Sequence, residues 1–592
     1  MQRSGQIGVA AGFACVIFPL LAALGMSLRF APDIATRGLN NPDSYMRIVR
    51  LRDMLDSGRT LFAVARDGSG HGTILHWSHL LDSLLCLLSL PFRLFLGPAD
   101  ALYAAALVFG PLNLAAAAFA AAWAVAPFSD RKWLFLGGVL LAISPAIASY
   151  GVAGVVHHHV AAVLAAAMCW GWAGRLAIGA VPVSAGIALG AWVGIGIWFT
   201  PEALPPAAMG LAALGVLWIV SPGRDDIAPA LTLAGLAFAA TVGGAVLADP
   251  PEAGPGVAEV DRISVLFFGV ALAATGIAAM LWAAHALVRT PRARAAAACA
   301  ATAVGAGIWA WVFRNALLHS NIAGPDEDWH VFFDFISEML PPKNAWEAVH
   351  FLFTGGLATA LAGGLAVCRR SLALGFVAVC AVGLTVIGGV HVRFAAYPEA
   401  IGAMALPVAL TLLHRVSPAW PTIGQSLARI GVILLFVQVP FAVRLGAPAE
   451  TAENVAAAAV PPCSGPAAAA LLAPYPGAVV LADVNETPEL LYRTQARTVG
   501  SLYHRNIPGF LRLRAAWRSP PSVDVPAAAA ETEASLVLAC LTPARSSMLE
   551  GLAGPGLMDQ LRSREPPPWL RRIGASPEAG PGAGHVLYRI AR

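Results

Sequence analysis

Apolar runs long enough to cross a membrane recur along most of this chain, and polar positions gather in the connections between them. A helix of about 17–25 residues spans a hydrocarbon core of roughly 30 Å. The pattern predicts about thirteen such helices, near 7–28, 100–126, 133–149, 156–175, 178–199, 203–220, 229–248, 263–287, 296–318, 347–367, 372–390, 396–413 and 428–445. The first follows Arg3 but is too long for a signal peptide and lacks a clear small-residue cleavage site, so it reads as an anchor. Residues 80–96 are apolar yet interrupted by Asp82, Pro91 and Arg93, which predicts a helix lying at the interface.

The period changes after residue 446. AVVLAD (478–483), TVGSL (498–502), ASLVLACL (534–541) and HVLYRI (585–590) read as buried strands between Pro-rich connectors and helical stretches. The expected fold class is a polytopic α-helical membrane protein with a small C-terminal α/β domain. Residues 1–446 form the transmembrane part, with long outer loops at 29–99 and 319–346, and 447–592 form the α/β domain.

Composition sharpens this picture. With 58% hydrophobic and 12% charged residues, the chain has lipid as its main solvent. A net charge of +4 over 592 residues offers no nucleic-acid surface. Arg131, Lys132, Arg175, Arg224, Arg289, Arg292, Arg294, Arg369, Arg370 and Arg415 fall in alternate short connections, which places those in the cytoplasm. The N-terminus is then cytoplasmic, and the C-terminal domain lies on the far, periplasmic or extracytoplasmic side of the cytoplasmic membrane. Cys463 and Cys540 both fall in that domain, where they either pair or remain two thiols. The other six cysteines read as small packing residues of the spans.

Candidate chemistry lies where polar groups meet the outer membrane face. In NNPDSYMRIVRLRDML (40–55), Asp43 either caps the helix that follows or supplies a carboxylate to a metal or reaction centre. In GVAGVVHHHV (151–160), three histidines at a membrane boundary are costly unless paired or wet. On a helix His157 and His159 diverge by about 200°, so they share one ion only if the backbone there is not helical. Glu338 in DFISEMLPPKNAW is either a solvated loop acid or a reactive one. Arg393 in HVRFAAYPEA runs against the charge asymmetry and must meet an acid, a phosphate or headgroups. Glu202 reads as a structural partner. Tyr503, His504, Arg505 and Asn506 form a polar cluster that either faces this site or caps a strand.

In order and layout these segments resemble the GT-C class of membrane glycosyltransferases, and within it the catalytic subunit of oligosaccharyltransferase. The resemblance implies thirteen spans, a long first outer loop and an outer C-terminal domain. It gives Asp43 in NPDSY the acidic-motif role of binding a divalent metal and the acceptor. Ile336, Ser337, Glu338 and Pro341 resemble the family's catalytic-loop motif, and Arg393, Phe394 and Tyr397 its donor-phosphate motif. Val152, Ala153 and Gly154 resemble the stretch before the second acidic motif, but His157 and His159 stand where the acids would be. The metal set implied is Asp43, His157, His159 and Glu338; Mg²⁺ prefers oxygen ligands, whereas imidazole suits Mn²⁺, Zn²⁺ or no ion at all. The tail lacks a Trp-Trp-Asp-Tyr-Gly motif, so transfer to Asn sequons is not implied. The expected partners are a lipid-linked sugar donor, membrane lipids and an acceptor of protein, lipid or polysaccharide. The competing classes are a transporter or lipid flippase, and a non-catalytic envelope assembly protein.

Overall fold

The computed structural model describes residues 8–319, 327–445, 463–542, 554–563, 565–577 and 584–591. Eleven described helices are long and apolar enough to cross a membrane, from Val9–Ala35 to Thr422–Val439. Two further expected spans are shorter. The stretch 133–149 breaks into Leu134–Ile143 and Pro145–Ala148, and 178–199 contracts to Ala185–Phe199. The break follows from Pro145: the residue before a proline is driven out of the helical region, and Ser144 sits at φ −64°, ψ 130°.

Small residues set the spacing of the bundle. A Cβ added at Gly186 or Gly190 would collide with the carbonyl oxygens of Ala230 and Ala234, so Ala185–Phe199 and Ile227–Ala248 approach almost backbone to backbone. The segment 80–96 forms the ten-residue helix Leu80–Ser89 and a 3₁₀ turn at Phe92–Leu94, too short for a span.

The C-terminal domain holds a five-stranded sheet of order β4-β3-β5-β7-β6, with β3 (Val479–Leu481), β4 (Arg497–Thr498), β5 (Leu536–Cys540), β6 (Leu570–Ala575) and β7 (His585–Ile590). β4, β3 and β5 are parallel, whereas β7 and β6 run antiparallel to their neighbours. β3, β5 and β7 fall within the expected runs, whereas β4 shares only Thr498 with the run expected at 498–502. β6 was not anticipated, because Leu-Arg-Arg-Ile-Gly-Ala exposes both arginines at the sheet edge and carries no alternation. Cys463 and Cys540 form a disulfide. The boundary expected at 446/447 lies outside the described residues.

This domain is locked onto the loop after the first span. A small hairpin, β1 (Ala63–Val64) with β2 (Thr73–Ile74), presents Arg66 and Asp67 to it. The Arg66 guanidinium donates to the carbonyls of Leu491 and Thr494, each at 2.7 Å. Buried Asp67 accepts hydroxyls from Thr73 at 2.6 Å, Thr498 at 2.8 Å and Ser501. On the same loop Arg47 and Arg50, 2% and 0% exposed, share the carboxylate of Asp82 at 2.7 and 2.5 Å.

Candidate functional site

Asp43 is held by helix Pro42–Ser57, and it is not the cap. Asn41 is extended ahead of Pro42, and its side chain accepts the Asp43 N–H at 2.8 Å, which makes Asn41 the N-cap. The Asp43 carboxylate is therefore free to turn elsewhere. It accepts from Nε2 of His157 at 2.8 Å and from the Tyr503 hydroxyl at 3.0 Å. Burial pushes this carboxyl up, but hydrogen bonding and attraction from His157, the Tyr503 hydroxyl and the Arg393 charge outweigh it and hold it below the usual carboxylate range.

The histidines sit on a loop that enters a span. Gly154 adopts φ +79°, a turn that a side chain would resist and where a Cβ would meet Asn40. Ser44 receives the Val156 N–H at 2.8 Å, tying this loop to the Asp43 helix. Helix His159–Ala177 begins only after His157, so the condition for His157 and His159 to converge is met. Their ring centroids lie 4.3 Å apart, and His158 stacks on His157 at 4.4 Å. Ring nitrogens of all three fall within 4.8 Å of one another. Nε2 of His158 and Nε2 of His159 are buried without a hydrogen-bond partner. Burial, with the neighbouring His157 and His159 imidazoles and the Arg393 guanidinium adding to it, drives His158 well below its ordinary pKa, so it stays neutral and able to donate a lone pair.

Tyr150 links this cluster to the second acid. Its ring packs 4.7 Å from His157 and 4.6 Å from His159, and its hydroxyl donates to Glu338 at 2.7 Å. Glu338 lies in the 3₁₀ turn Ser337–Met339, pinned where the Val392 N–H meets the Leu340 carbonyl. Arg393 reaches Glu338 at 3.3 Å and grips Glu202 through Nε and Nη2 at 2.9 and 2.8 Å. The Tyr397 hydroxyl lies 3.5 Å from the Glu202 carbonyl. Asp43, His157, Tyr150, Glu338, Arg393 and Glu202 thus form one unbroken chain of contacts at the end of the bundle that bears the C-terminal domain.

His504 and Arg505 face another way. Both bind Asp261, at 2.6 and 2.7 Å, and Arg505 also binds Glu259 at 2.7 Å. They dock the domain onto the 249–264 connection, and Tyr503 alone of that cluster reaches Asp43. A small cavity beside His158, which no sequence motif marks, is lined by His76, Ser78, Trp198, Thr200, Asp261 and Arg262. Four buried polar atoms around it have no hydrogen-bond partner: His76 Nδ1, Ser78 Oγ, His158 Nε2 and Arg262 Nε. A second buried feature is Glu399, 1% exposed, whose carboxylate accepts the Ala146 and Ile147 N–H groups at 3.0 and 3.1 Å. It fixes the short helix Pro145–Ala148 that leads to Tyr150. An acid inside an apolar span was the signal for it.

No protein-family model matches the sequence, and no curated protein matches it either. Solved structures do. The archaeal oligosaccharyltransferase AglB from Archaeoglobus fulgidus, in complex with an inhibitory peptide and a dolichol-phosphate, superposes with a TM-score of 0.66 at 14% identity, covering 90% of this chain and 69% of that one. The Archaeoglobus fulgidus oligosaccharyltransferase tethered to an acceptor peptide containing the NVT sequon gives 0.65 at 14% identity, with 90% and 69% covered. The complex of that enzyme with Zn and sulfate gives 0.61 at 15%, with 90% and 68% covered. At such identities the likeness is one of architecture: this chain has the GT-C fold of an oligosaccharyltransferase.

Proposed function

We propose that this protein is a membrane glycosyltransferase that moves a sugar or oligosaccharide from a polyprenyl-phosphate or polyprenyl-diphosphate donor to an acceptor at the outer face of the cytoplasmic membrane. The observation that carries this reading is the contact chain from Asp43 to Arg393, which gathers two acids, an imidazole cluster and a cation at one end of an apolar bundle. A transporter needs its charged groups near the midplane of the spans, not assembled under a soluble domain. The neighbours' bound dolichol-phosphate and acceptor peptide support a lipid-linked donor for the same fold.

The chemistry follows from charge. As the bond from the sugar's anomeric carbon to the phosphate oxygen breaks, that oxygen takes the electron pair and becomes anionic. Arg393 would bind phosphate oxygens. Glu338 accepts the acceptor's proton or orients it for attack, and Tyr150 holds that carboxylate in place. Asp43, His157 and His159 would hold a divalent ion, with His158 beside them. The unpartnered imidazole nitrogens fit Mn²⁺ or Zn²⁺ better than Mg²⁺, and such an ion would supply Lewis-acid stabilisation of the leaving phosphate.

The test is release of free polyprenyl phosphate or diphosphate from a lipid-linked saccharide by the full-length protein in vesicles. Release by the parent, lost in Arg393→Ala and His157→Ala variants that remain folded at the assay temperature, is the expected result. Equal release by the variants would overturn these roles, and movement of intact donor across the bilayer without cleavage would favour a flippase.

A further inference from the structure

The Cys463–Cys540 disulfide joins the segment entering the C-terminal domain to the last residue of β5. Cys540 lies directly across the antiparallel ladder from His585 of β7, so the two side chains share a face of the sheet. His585 is 1% exposed, and its Nε2 sits 3.2 Å from Oε1 of Glu486, at the start of helix Thr487–Arg493. Two polar atoms here lack a hydrogen-bond partner, Nδ1 of His585 and Oε2 of Glu486. Ligand atoms of Cys463, Glu486 and His585 lie within 4.8 Å of one another. A buried imidazole and a carboxylate left half satisfied beside the disulfide cost stability, and they point to an occupant.

We propose that Cys463, Cys540, His585 and Glu486 form a latent site for a thiophilic divalent ion, closed while the disulfide stands and opened by its reduction. A dithiol reductant gives two electrons and two protons, the S–S bond breaks, and the reductant closes into its own disulfide. Cys463 and Cys540 become thiols. A divalent ion then displaces both thiol protons to solvent and takes two thiolates, one imidazole nitrogen and one carboxylate oxygen, the tetrahedral donor set suited to zinc, cobalt or cadmium. The ion takes over from the disulfide as the tie between the entering segment and β5. The site is separate from His157–His159 and does not depend on the proposed glycosyl transfer.

The experiment is a cobalt titration of the full-length protein in detergent, oxidised and after reduction with a trialkylphosphine, read by thiolate-to-cobalt charge-transfer absorption. Only sulfur ligands give that band, so the membrane-end imidazoles do not contribute. The six other cysteines are thiols in both samples and set the background. Reduction is expected to add a thiolate–cobalt band that is lost in Cys540→Ser and weakened in His585→Gln. No gain on reduction of the parent protein, which needs no variant to fold, would overturn the proposal, as would an undiminished gain in Cys540→Ser.

Discussion

Replacing Glu399 by leucine is expected to destabilise the protein and displace Tyr150, whereas glutamine at the same position restores most of the loss. The carboxylate is 1% exposed and accepts two backbone N–H groups, from Ala146 and Ile147, at the break between Leu134–Ile143 and Pro145–Ala148. Leucine leaves both donors buried and unpaired, at roughly 1–3 kcal/mol each. Burying an apolar side chain in place of a carboxylate offsets part of this, which leaves about 2–4 kcal/mol. Glutamine keeps one acceptor oxygen, so its cost stays below about 1.5 kcal/mol. Thermal unfolding of the full-length protein in detergent orders the variants: parent, then Glu399→Gln, then Glu399→Leu. The site follows the same order, because Pro145–Ala148 leads directly to Tyr150 and hence to Glu338. Equal unfolding temperatures for the leucine and glutamine variants would refute this role for the Ala146 and Ile147 hydrogen bonds.

Asp82→Asn leaves Arg47 and Arg50 buried with too little negative charge, an expected loss of about 3–5 kcal/mol; denaturant unfolding measures it. Tyr503→Phe removes one hydrogen bond that holds the Asp43 pKa down. Asp43 therefore stabilises the native state above its ordinary value of about 3.9, and that contribution is lost as pH falls through its lower native pKa. The variant should lose about 1 kcal/mol at neutral pH, with the deficit closing in acid, as read by unfolding at several pH values. His157→Asp replaces an imidazole by an oxygen ligand, so calorimetric titration should show preference moving from Mn²⁺ or Zn²⁺ towards Mg²⁺. Unchanged selectivity would remove His157 from the ligand set.

The spans were legible because their signal is length and apolarity, which no tertiary contact overrides. Pro145 marked the one span that breaks, yet a hydropathy run averages over it. Asp43 shows where local reading stops. Its position after Asn-Pro suggested a cap, but Pro42 forces Asn41 into the extended backbone, hands the cap to Asn41 and leaves the acid to meet His157. That meeting depends on two loops over a hundred residues apart. His76, Ser78 and Tyr150 carry no local signal at all, since their meaning comes from which loop folds over which. His504 and Arg505 announced themselves by charge density, but only the acids at Glu259 and Asp261 decide which way they face.

Donor turnover by isosteric variants tests the central claim most directly. Asp43→Asn and Glu338→Gln keep the shape and most hydrogen bonds of the site and remove only the negative charge. With a labelled lipid-linked saccharide in vesicles, each is expected to lose at least about 10²-fold in turnover, the scale on which a single preorganised electrostatic group acts, while remaining folded at the assay temperature. Turnover at the parental rate in both variants would contradict a glycosyl-transfer site built on these two acids.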